Sequence, residues 1–168
     1  MITLTLASGS GIEGGTLPLT LTIASTSGDA CTSVQFTLSY NPADLTLTSA
    51  VAGASATGAS KMVNRAGNLV VIWGLNTNVI ADGTLCTLNF LVSNPVTHGS
   101  IPISLTGLVA SDASANPLST TGVAGTVTVN IVTLACPVGG GSAAKGQNYS
   151  AELLASGGTG PYTFTITG

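Results

Sequence analysis

The chain has 168 residues, with three Lys plus Arg against six Asp plus Glu, a net charge of −3 and a charged fraction of only 5%. Three cations cannot make a basic nucleic-acid footprint, and helices would have no Glu, Lys and Arg with which to cover a solvent face. Polarity comes instead from 25 threonines and 18 serines beside 22 glycines, and β-branched Thr with turn-forming Ser and Gly is an all-β composition.

The elements follow in chain order. Residues 2–7 alternate apolar and polar side chains until SGSGIEGG breaks the pattern. Residues 16–24 alternate again, with Leu17, Leu19, Leu21 and Ile23 on one face. After the turn STSGDAC comes VQFTLSY, which puts Val34, Phe36, Leu38 and Tyr40 on one face and Gln35, Thr37 and Ser39 on the other. NPAD at 41–44 is a turn, with Pro42 preset for it. A strand is predicted over 45–52, a loop of small residues over 53–58 and a short strand near 61–63. Residues 69–75 (LVVIWGL) are apolar on both faces, which in a strand signals cover on both sides. Asp82-Gly83 opens a strand with Cys86, Leu88, Phe90 and Val92 inward, and strands over 101–109 and 123–132 complete the set. The pattern predicts a nine-stranded antiparallel β-sandwich over 1–132.

From Leu134 the character changes. Pro137 and three consecutive glycines read as a linker over 133–147, and residues 148–168 read as the first strands of an incomplete module, YSAELLA and YTFTIT around the turn SGGTGP. Such a hairpin leaves one apolar face and both edges open, so the chain is expected either to continue or to pair with another subunit.

Little chemistry is on offer. His98 is the only histidine and sits in the turn PVTHGS, while the carboxylates are scattered in or near turns, so no catalytic residues and no enzyme activity are expected. Asp112 and Asn116 make only two oxygen ligands without an acidic cluster, and Cys31, Cys86 and Cys136 match no zinc spacing; neither a metal nor another cofactor is expected. One disulfide with one unpaired thiol and three reduced thiols both satisfy the cysteine count. Strand placement favours Cys31 with Cys86, leaving Cys136 at the junction. No apolar run approaches a membrane span of roughly 18 residues. Met1 leads directly into ITLTLA without the basic start and apolar core of an export leader, so a trimmed precursor or another exit route is expected.

Several segments carry a family resemblance. GGT at 14–16, FTLSYNPADL from Phe36, DGTLCTLNFLV from Asp82, GLVASDASANPL from Gly107 and GTVTV from Gly125 resemble a cohesin module, the jelly-roll sandwich related to carbohydrate-binding modules. Tyr40-Asn41-Pro42 stands where many cohesins have Tyr-Asp-Pro. NYSAELLASGGTGPYTFTITG resembles the start of an Ig-like repeat of bacterial surface proteins.

The resemblance implies a non-catalytic module that binds partners on one outer sheet. The candidate surface there is Gln35, Thr37 and Ser39 with Leu69, Val71 and Trp73, because only one face of LVVIWGL can point inward; the competing reading makes Trp73 a core residue, as a Trp on a sandwich strand usually is. Expected partners are other protein subunits or modules, with polysaccharide as the lesser alternative. The expected location is extracellular or cell-surface, with a virion or filament component as the competing reading.

Overall fold

The computed structural model describes residues 1–26, 28–135, 145–146, 153–157 and 161–165. By its contacts the chain divides into Met1–Val129 and Asn130–Gly168. In the first unit the period-two segments become β1 (Ile2–Leu6), β2 (Gly9–Gly11), β3 (Thr16–Ser25), β4 (Ser33–Ser39) and β5 (Leu45–Ala52). A short helix α1 (Ala54–Gly58) precedes β6 (Met62–Ala66), β7 (Leu69–Trp73), β8 (Gly83–Val92) and β9 (Ser100–Ser111). The unit closes with β10 (Pro117–Leu118), β11 (Thr120–Val123) and β12 (Gly125–Val129).

Two sheets form the sandwich, one ordered β11-β1-β3-β8-β5 and the other β2-β12-β9-β4-β7-β6, with β10 added on β9. The all-β sandwich is as predicted, but twelve strand segments replace nine, and two pairings are parallel, β1 with β11 and β12 with β2. The cause is a shared step between sheets. The single strand expected over 123–132 is broken, with β11 in one sheet and β12 in the other. The chain from β1 to β2 makes the same crossing beside it. Gly125 sits at this step, where a Cβ would come within 2.7 Å of the Ala7 carbonyl oxygen.

Alternation fills the space between the sheets. Ile2, Leu4, Leu21, Leu88 and Phe90 from one sheet meet Phe36, Val70, Ile72, Ile101, Ile103 and Val127 from the other, all fully buried. Each such side chain contributes about 1.5–3 kcal/mol relative to exposure. Tyr40, at the end of β4, packs edge-to-face on Phe90 with ring centroids 5.4 Å apart. Its hydroxyl donates to Asn68 Oδ1 at 2.8 Å and accepts from the Leu47 amide at 3.1 Å.

The loop expected over 53–58 is instead α1, which buries Ala56 and Ser55. In the second unit β13 (Thr133–Ala135), from the segment read as linker, pairs antiparallel with β14 (Leu154–Ser156). The strand expected over 162–167 does not form across Tyr162–Thr165, and residues 166–167, like Cys136 and Tyr149, lie outside the described residues.

Candidate functional site

Strand register assembles the outer face of the second sheet. Val71 lies opposite Gln35 on one side and Asn64 on the other, and Gln35 lies opposite Val109, so one row crosses β6, β7, β4 and β9. A second row runs Ala66, Leu69, Thr37, Thr106, and Met62 stands opposite Trp73. Inward-facing Val70 and Ile72 are fully buried, whereas Trp73 is 38% exposed, Met62 49% and Val109 54%. Leu69, Val71, Gln35 and Thr37 are half-buried and Ser39 is exposed. All six residues singled out from the sequence therefore share this face.

These rows contain no ionisable side chain. Arg65 lies on β6 between them, but it donates to the carbonyls of Gly67 at 2.9 Å and of Thr48, in the other sheet, at 3.1 Å. The surface is an apolar and amide-hydroxyl patch.

The expected Cys31–Cys86 bridge is absent, and both are buried free thiols. Cys31 precedes β4 and directs its thiol to the Ser33 carbonyl at 3.4 Å. Cys86 lies within β8, opposite Leu21 and Ala52 in its own sheet. Burial raises the pKa of both thiols, that of Cys86 to about 12.

One polar cluster escaped sequence reasoning. Asp44, in the β4–β5 turn, is 0% exposed. Its Oδ1 accepts from the Thr97 amide and hydroxyl, both at 2.6 Å. Its Oδ2 accepts from Asn41 Nδ2 at 2.8 Å and from His98 Nδ1 at 2.6 Å. Burial alone would raise the carboxyl's pKa, but the Thr97 and His98 hydrogen bonds outweigh it and hold it at about 2. His98 is solvated as expected, with a 60% exposed side chain, yet it is tied to a residue 54 positions away.

Asn41, Asp44, His98, Ser100, Ile101 and Pro102 line a shallow pocket of about 150 Å³. Both Asp44 oxygens are saturated by donors, and the Thr97 hydroxyl, 2.8 Å from His98 Nδ1, gives its proton to Asp44 Oδ1. The cluster ties the β4–β5 turn to the loop before β9. Similarly, the Asp112 carboxylate accepts from the Ser114 and Asn116 amides and from Asn116 Nδ2, so its oxygens cap a turn.

The family model for the cohesin domain matches residues 2–129. No curated protein matches the chain. Similar solved structures include the third cohesin ScaC of Acetivibrio cellulolyticus in complex with the ScaB dockerin, at 19% identity and TM-score 0.67, covering 77% of this chain and 99% of that one. The sixth cohesin of scaffoldin B from the same organism, in complex with the Cel5 dockerin, aligns at 21% identity and TM-score 0.64 over 76% and 98%. A non-cellulosomal cohesin of the archaeon Archaeoglobus fulgidus aligns at 22% and 0.62 over 76% and 90%. With the sandwich in place and the family model spanning all twelve strands of the first unit, the chain belongs to the cohesin family, whose domains are non-catalytic protein-interaction modules.

Proposed function

We propose that residues 1–129 bind a dockerin-type protein module on the outer face of β6, β7, β4 and β9, in an extracellular or cell-surface protein. The observation that carries this reading is the pair of uncharged rows centred on Val71 and Leu69, with Met62, Trp73 and Val109 exposed around them. Half-exposed apolar side chains flanked by Gln, Asn and Thr suit a packed protein interface, with an apolar centre and amide or hydroxyl hydrogen bonds at its edge. Polysaccharide finds less support, because this face has a single aromatic side chain, Trp73. The family match supports the surface-protein setting and lends none to a virion component.

The test is a binding screen of the full chain against purified dockerin modules encoded in the same genome. The reading expects saturable one-to-one binding by at least one of them. If none binds, the proposed partner class is wrong.

A further inference from the structure

The loop between β7 and β8 has no regular secondary structure from Gly74 to Ala81, yet side chains hold it along its length. Gly74 makes room for the Lys61 stem, since a Cβ there would lie 3.1 Å from Lys61 Cδ and 3.0 Å from the Ser60 carbonyl oxygen. Lys61 is 5% exposed. Its ammonium donates to the backbone carbonyl of Asn76 at 2.9 Å and to Asn76 Oδ1 at 2.8 Å. Asn76 Nδ2 in turn donates to the Ser60 carbonyl at 3.1 Å, and Asn76 Oδ1 also accepts from the Asn78 amide at 3.0 Å. At the far end Ile80 is buried, and its amide donates to the Cys31 carbonyl at 2.8 Å.

A covered cation bonded only to neutral acceptors is costly, and an apolar side chain would fill the same place at less cost. What the lysine adds is a fixed position for Asn76. The loop so held keeps Leu75 94% exposed, two residues beyond Trp73 at the Met62–Trp73 end of the face. A loop whose backbone is already held loses little conformational entropy when a partner covers Leu75.

We infer that Lys61 is a positioning residue of the interaction face, its ammonium fixing the 74–81 loop through Asn76 so that Leu75 extends the apolar end marked by Met62 and Trp73. The role in binding rests on the proposed function, but the positioning itself is testable without a partner. Hydrogen exchange on the full chain reads the Asn78 and Ile80 amides, and acrylamide quenching reads Trp73, the only tryptophan. In Lys61→Met both loop amides should exchange about tenfold faster or more, as expected for loss of charge-assisted hydrogen bonds, with altered Trp73 quenching and β7 amides unchanged.

Loop exchange within twofold of the parent, or equal acceleration throughout β7, would overturn the positioning role. If Lys61→Met fails to fold, Asn76→Ala, which removes the Oδ1 that the ammonium holds, is read at Ile80 and Trp73 with the same two outcomes, the Asn78 amide being set aside because this change also removes its own acceptor. A failed dockerin screen leaves these readouts untouched, so the two claims fail separately.

Discussion

Replacing Asp44 with Ala removes a fully covered carboxylate that accepts four hydrogen bonds, two from Thr97 and one each from Asn41 and His98. The lost bonds are charge-assisted, and three of the four join segments that lie more than 50 positions apart. Thr97 and His98 are exposed, so water recovers part of the loss, and the net cost should be about 2–3 kcal/mol. For a cooperative unit of this size, that is a fall in Tm of roughly 6–12 °C. The pH dependence gives the sign. Folded Asp44 titrates at about 2, below its ordinary 3.8, so the unfolded chain binds the proton first as pH falls. The carboxylate's contribution is complete above about pH 4 and is lost between about pH 4 and 2. Urea titrations of the parent and Asp44→Ala at pH 7, 4 and 2.5 should therefore show a gap that narrows with acid. A difference below about 0.5 kcal/mol at pH 7, or one that does not narrow with acid, would mean that the carboxylate is a solvated turn residue.

Gly53→Ala should destabilise the sandwich by about 1–3 kcal/mol in thermal unfolding, because its Cβ would meet the Thr84 carbonyl oxygen at 2.4 Å; an unchanged Tm would contradict that packing. Cys31 and Cys86, buried with raised pKa, should resist alkylation in the native protein, and non-reducing peptide mapping should find them unlinked; a Cys31–Cys86 peptide would refute the free-thiol assignment.

What could be read in advance followed local periodicity. The alternation in LVVIWGL separated Val70 and Ile72 from Leu69, Val71 and Trp73 without saying which face is inward, and the structure buries Val70 and Ile72. The same rule found the inward faces of β3, β4 and β8. It failed where a rule other than alternation decides. Helix α1 spans only five residues of small side chains and has no amphipathic period to detect. In residues 120–129 (TTGVAGTVTV) Val123, Val127 and Val129 keep one parity across Ala124 and Gly125, so period two does not mark the change of sheet at Gly125; the close approach to Ala7 explains that glycine only once the fold is known. The Asp44–His98 tie and the Lys61–Asn76 clamp are non-local contacts between residues that are each unremarkable turn or surface types in sequence.

The central claim, that the uncharged outer face of β6, β7, β4 and β9 is where a protein partner docks, is tested most directly by Val71→Asp. Val71 sits at the centre of the face and outside the core, so the fold should lose no more than about 1 kcal/mol. A carboxylate buried without a partner at the interface should weaken binding by about 2–4 kcal/mol, roughly 30- to 1000-fold in Kd. Calorimetric titration of a dockerin that binds the parent chain, with thermal unfolding of both proteins measured alongside, gives the two numbers together. The account predicts a folded variant with that loss of affinity. Undiminished binding by folded Val71→Asp would place the partner elsewhere, and an unfolded variant would make the Val71 row part of the core.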